Sequence, residues 1–340
     1  MGGTTKGIKT ATALINCEAA FGVTIPIVSL VDIYVQNNFN PAKITPAFRT
    51  DAGRITGARG VTNRQRETAE GMLSESLDAS TELIVHGLAL GYGNATATGS
   101  ADPWTQTIKH PSVCTSSPKS TSFLQGIECA GLTQGYKSYK GASLSKMVIS
   151  MKGQGRIELT REWKLDGSEV TQAAATFPAS FLSLTYLLSS HLALKLYPNG
   201  GGAITISSSR LVSLQIEIDF GLTKRNRAGN SIYVPGWRFA GDKPSIKITF
   251  EVEGDKSDVI YGYFENDTLL TAQVVLDPGV VPSRAITMDM AKCYLIAEEG
   301  NDDTDPTLKC TIDEIDVIAN QGPAIWSAKT GVAAYNVPLP

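Results

Sequence analysis

Three histidines, His86, His110 and His191, are the first residues to test for chemistry. A metal-ligand or general-base role needs a partner at defined spacing, and none sits in an arrangement such as H-E-x-x-H. They read as helix, loop or strand residues rather than ligands. Gly-x-Ser-x-Gly and the P-loop are absent, which removes the common hydrolase and NTPase signatures. Asp302, Asp303 and Asp305 suit a hard cation by type. They lack the spacing and the closing Glu of an EF-hand, so a solvated acidic turn is expected. Lys224, Arg225 and Arg227 could grip phosphate. On a chain of net charge −3 the cluster reads instead as a solvated or subunit-pairing patch. The cysteines, Cys17, Cys114, Cys129, Cys293 and Cys310, are odd in number and widely spaced, with no C-x-x-C, which argues against structural zinc. They read as reduced, mostly buried thiols, with a Cys293–Cys310 bridge left open. No convergent acid–base set is visible, so neither enzyme activity, metal nor cofactor is expected.

The remaining chemistry lies in carboxylates that recur at alternate positions. In 156–165, Ile157, Leu159, Trp163 and Leu165 fall on one side, and Arg156, Glu158, Thr160, Glu162 and Lys164 on the other. Leu214, Ile216, Ile218 and Phe220 oppose Ser213, Gln215, Glu217 and Asp219. Ile246, Ile248, Phe250 and Val252 oppose Lys247, Thr249, Glu251 and Glu253. Strict period 2 means strands with one buried and one wet face. Several such strands predict antiparallel sheets packed through their apolar faces. The wet faces are acidic with Lys and Arg interspersed, which suits plain solvation or a wall facing water, such as a channel lining.

The 340 residues allow one large all-β domain or two medium ones. The start has no apolar run behind a basic cluster, so no secretory signal is expected. Lys6 stands where a myristoylation signal wants Ser or Thr. No run of about 18 apolar residues exists to span a membrane as a helix.

Along the chain, 1–67 reads as an extended arm or loop region, with a polar, Arg-rich stretch at 37–67. Residues 68–320 read as the main domain and 321–340 as an extended surface tail. Residues 68–77 look extended, and a helix is expected over 78–90, capped by Asp78 or Ser80 and ended by Gly91. Residues 94–122 read as a long loop. Strands are expected at 123–129, 136–141, 144–151 and 156–165, with a tight turn at Gly153-Gln154-Gly155 and a close at Asp166-Gly167. A short helix could begin at Pro178. A hairpin flanks Asn199–Gly202, strands at 211–220 and 245–253 bracket a basic loop, and further strands fall at 258–264, 268–276, 290–298 and 307–318. The two halves show a loose parallel of strand, basic loop and strand, with no sequence repeat.

Glu67-Thr-Ala-Glu-Gly-Met-Leu-Ser followed by the helix resembles the tail tube proteins of long-tailed bacteriophages. So do Phe123-Leu-Gln-Gly-Ile-Glu, Tyr139-Lys-Gly-Ala-Ser-Leu-Ser-Lys-Met-Val-Ile-Ser-Met and Gly155-Arg-Ile-Glu-Leu-Thr, and the alternating runs from Leu211 and Ile246. The resemblance covers about residues 65–320. It implies a mainly β fold, an antiparallel β-sandwich or barrel with a flanking α-helix and long loops. It implies a structural virion protein made in the host bacterial cytoplasm, whose subunits form rings, usually hexameric, that stack into a hollow tube. Its partners would be copies of itself and other tail proteins, with no membrane, and DNA would pass through the lumen without specific binding. Under that reading Glu158, Glu162, Glu217 and Asp219 are the candidate lumen-facing residues, since like charge keeps DNA from adhering. The stretches 37–67 and 94–122 would dock on neighbouring subunits. Alternatives are a tube-like tail-terminal or baseplate component, or a β-sandwich adhesin or carbohydrate-binding module. The last would show exposed aromatics, and Trp104, Trp237 and Trp326 are read as lying outside regular strands.

Overall fold

The alternating runs become long antiparallel strands, and the described residues are mainly β with two short α-helices. The computed structural model describes residues 7–12, 16–23, 31–33, 40–52, 61–109, 118–128, 136–172, 184–199, 201–224, 233–234, 236–239, 244–299, 306–314, 324–331, 333, 335 and 337–338. The first half holds β1 (Gly7–Thr12), β2 (Asn16–Cys17), β3 (Val31–Ile33), β4 (Asn40–Ala52), β5 (Val61–Asp78), α1 (Thr81–Tyr92), β6 (Ala95–Thr98), β7 (Trp104–Ile108), β8 (Thr121–Glu128), β9 (Tyr136–Lys152), β10 (Glu158–Leu165) and β11 (Glu169–Gln172). The second holds β12 (Leu192–Pro198), β13 (Ile204–Ser207), β14 (Leu211–Asp219), β15 (Leu222–Lys224), β16 (Trp237–Phe239), β17 (Ser245–Glu253), α2 (Val259–Glu265), β18 (Leu270–Leu276), β19 (Ile286–Glu299), β20 (Thr307–Glu314), β21 (Ile325–Thr330) and β22 (Val337–Pro338).

One continuous run of paired strands goes β4-β5-β10-β9-β14-β17-β20-β19, every pair antiparallel. Among the described residues the sheet does not close into a barrel. Its inner face is apolar: Leu73, Leu159, Trp163, Met147, Ile149, Ile216, Ile248, Phe250 and Ile312 are all buried. β9 serves two layers. Its first half pairs with β8 and β11, its second with β10 and β14. Gly141, at φ +62, sits where it passes from one to the other, and a Cβ there would meet Phe21 and Asp166 at 2.8 Å.

The two halves share one wiring diagram. β1 pairs with β3 and β8, β8 with β9, β9 with β10 and β11, β10 with β5, and β5 with β4. In the same order β12 pairs with β13 and β18, β18 with β19, β19 with β20 and β21, β20 with β17, and β17 with β14. α1 follows β5 and packs on β9, and α2 follows β17 and packs on β19. The β8–β9 and β18–β19 pairs each carry a register shift. The β6–β7 hairpin and the β15–β16 ribbon are additions to this shared plan.

Several expectations need correction. The stretch 37–67 supplies β4 and part of β5, which pair from Asn40↔Ser74 to Ala52↔Val61. Thr, Val and Arg carry that ladder without the apolar alternation that signals a buried strand. Thr likewise hides β6 and β7 in the presumed loop 94–122: both are Thr-rich, and β-branching favours strands whatever the polarity. Residues 258–264, read as a strand from Val, Ile and Tyr, form α2, where the Asp258 side chain caps Ile260 N. The helix at 78–90 is α1, capped by Ser80 as allowed for, but it ends at Gly93 with φ 67 rather than at Gly91. Gly91 lies inside the helix, where a Cβ would press on the Phe220 ring at 2.4 Å, so glycine serves packing there rather than termination. Residues 136–141 and 144–151 are a single strand, β9. The tail after Gln321 is extended but not superficial: β21 lies between β19 and β7 and buries Trp326. The helix proposed at Pro178 lies outside the described residues.

Candidate channel-facing surface

The outer face of the run from β5 to β19 is built by cross-strand rows of side chains that are polar except at Val148 and Ile296. One row reads Ser74, Glu162, Lys146, Asp219, Ser245 across β5, β10, β9, β14 and β17. The next reads Ser76, Thr160, Val148, Glu217, Lys247. A third runs Asp78, Glu158, Ser150, Gln215, Thr249, Thr311, Ile296, reaching β20 and β19. A fourth reads Lys152, Ser213, Glu251, Lys309, Glu298. Alternation alone places these residues on one face, opposite the core.

Glu158, Glu162, Glu217 and Asp219 therefore share one face of adjoining strands. Glu158 and Asp219 are exposed, and Glu162 and Glu217 are half-buried. Lys146 is their focus. It lies directly opposite both Glu162 and Asp219, and its Nζ is 2.7 Å from Glu217 Oε1. The hydrogen bond to Glu217 pushes the Lys146 ammonium up, and the charges of Glu217, Glu162 and Asp219 add to it. Such an exposed pair contributes little stability. Its effect is on the field: Glu162, Glu217 and Asp219 surround Lys146, and with Lys247 opposite Glu217 the patch holds three carboxylates and two cations. Asp219 also caps its own turn, accepting from Gly221 N at 2.7 Å.

Beneath that face lies a polar set that sequence reading missed. Arg161 and Glu75 face each other across β10 and β5 with both side chains fully buried, 2.8 Å apart. Glu75 Oε2 also accepts from Arg161 Nε at 3.0 Å and from Trp163 Nε1 at 2.8 Å. Arg161 Nη1 lies 3.1 Å from His86 Nδ1, and the guanidinium stands 5.3 Å from the Trp163 ring centre. A signal was present: Arg161 falls on the apolar parity of 157–165. α1 is buried along its whole length, consistent with its having no charge after Glu82.

A second buried carboxylate, Glu18, ties segment 16–23 to the sheets. It accepts from Gly22 N, Ser120 Oγ, Ser122 Oγ and Gly141 N at 2.7–2.9 Å. Burial raises its pKa, and the four donors oppose that rise.

His191 Nδ1 accepts from Leu188 N at 3.1 Å, and His110 lies outside the described residues. Among the described residues no group of three His, Cys, Asp or Glu could hold a metal ion. Asp302, Asp303, Asp305, Arg225 and Arg227 lie outside the described residues. Lys224 pairs with Glu70 at 2.7 Å. Trp104, Trp237 and Trp326 belong to strands, and Trp237 and Trp326 are buried, so these side chains form no exposed aromatic platform. The Cys293–Cys310 bridge does not form. Cys293 lies opposite Glu314 and Cys310 opposite Ala297, a four-residue offset that separates them by about 13 Å along the strands. Burial pushes both thiols up to about 12. Cys17, Cys293 and Cys310 should therefore resist a thiol reagent at pH 8 and react fully in denaturant. Peptide mapping after labelling checks this, and native labelling of Cys293 or Cys310 would refute their burial.

No protein-family model matches the chain, and no curated protein matches it.

Proposed function

We propose that this protein is a structural subunit whose copies form stacked rings, a hollow tube of the kind that phage tails use to deliver DNA. The observation that carries the reading is the outer face from β5 to β19. It is continuous, polar and rich in carboxylates, while the other side of the same strands packs into the core. A wall of that kind suits a conduit for a polyanion, because cationic walls would hold phosphate by counterion release. The strand edges that bound it are templates for further pairing. The outer half of the β4–β5 hairpin supports stacking: residues 61–68 pair only with β4 among the described residues. That ladder reaches beyond the rest of the sheet and suits docking on an adjacent ring.

In this reading Glu158, Glu162, Glu217 and Asp219 face the lumen, and head-to-tail contacts between rings give an open filament. Negative-stain microscopy of the purified protein tests it. Rings or hollow tubes are expected; a monodisperse monomer at every concentration and ionic strength would overturn it.

A further inference from the structure

We infer that the chain contains two equivalent tube-fold units and builds its ring by pairing the outer edge of β4 with the outer edge of β19 in the next copy, so that three chains take the place of a hexamer. This inference rests on the ring reading above. The first unit runs from β1 to β11 and the second from β12 to β21, with seven strand pairings and the helix position in common.

The chain itself displays how two units join. The second half of β9 pairs on one side with β10 of its own unit. On the other it takes β14 of the next unit, from Ser213↔Lys152 to Asp219↔Lys146. β14 is the counterpart of β4, and β9 is the counterpart of β19. Residues 294–299 of β19 pair only with β20, and β4 pairs only with β5, among the described residues. The second unit therefore ends in the acceptor edge that the first unit fills with β14. The first unit begins with the donor edge that its counterpart β14 inserts. A second copy of this chain satisfies both.

Two further observations agree. The margins of the polar face carry exposed apolar side chains, Met72 beside β4 and Ile296 on β19, exposed by 58% and 41%. The internal junction also carries an apolar residue on this face, Val148 between Thr160 and Glu217. An interface of donor edge to acceptor edge is head-to-tail, so its repetition closes a ring when the rotation permits. With two units per chain, a ring of hexameric plan closes after three copies.

The test combines symmetry with an edge variant. Class averages of rings or tubes should show three-fold symmetry, with a ring mass of three chains. Ile296→Lys places a charge at the exposed acceptor edge, where it blocks strand addition. It should keep the far-UV spectrum and unfolding midpoint of the wild type while sedimenting as a monomer, and Ile296→Val should assemble normally. Rings of six chains, or undiminished assembly of Ile296→Lys, would overturn this inference and leave the tube reading intact. A wild-type chain that never self-associates would overturn both.

Discussion

Arg161→Ala is expected to destabilise the folded chain by about 3–5 kcal/mol in urea unfolding, the usual loss when one partner of a buried ion pair is removed. Glu75 would lose the guanidinium that pairs with it and keep the Trp163 N–H as its partner in a fully buried site. Glu75→Leu strands Arg161 in the same way. The second unit shows what the site needs. Counting back from the helix-side end of each ladder, Asp78↔Glu158 and Glu253↔Thr307, Glu75↔Arg161 corresponds to Phe250↔Cys310, a buried pair without charge. The ion pair is therefore not demanded by the fold. Glu75→Leu with Arg161→Met should be more stable than either single variant. It should remain about 1–2 kcal/mol below wild type, because the Trp163 N–H loses its acceptor. A double variant weaker than both single ones would show that the pair holds the fold in some other way.

The second large effect concerns the β4–β5 hairpin. Replacing residues 48–67 by Asn-Gly joins Ala47 to its own partner Thr68 through a two-residue turn. The part of the hairpin paired to β10 begins at Gly71 and is retained. The shortened chain should stay folded and form rings at wild-type concentrations, while tubes disappear from micrographs. Tubes of normal length from this variant would sink the assignment of the outer hairpin to ring stacking.

The sheet was legible where burial on one face imposes a pattern. In β10, β14 and β17 apolar residues recur at every second position, and the same parity puts Glu158, Glu162, Glu217 and Asp219 on one shared polar face. The same rule failed where polar residues form strands for other reasons. β4, β6 and β7 depend on pairing and β-branching rather than on an apolar stripe. α2 was hidden because Ile260, Tyr261 and Phe264 fit either period, and the deciding signal was the cap at Asp258. The duplication was illegible because its two units share pairings rather than residues: Glu75 and Arg161 in one are Phe250 and Cys310 in the other. The focus on Lys146 was equally hidden, since strand pairing brings it to Glu162 from one side and Asp219 from the other.

A density map of the assembled protein tests the central claim most directly. The account predicts a through-channel whose wall is the outer face of β5, β10, β9, β14, β17, β20 and β19, with Glu158, Glu162, Glu217 and Asp219 exposed to the lumen. A wall made chiefly of Lys and Arg, or an assembly without a channel, would contradict it.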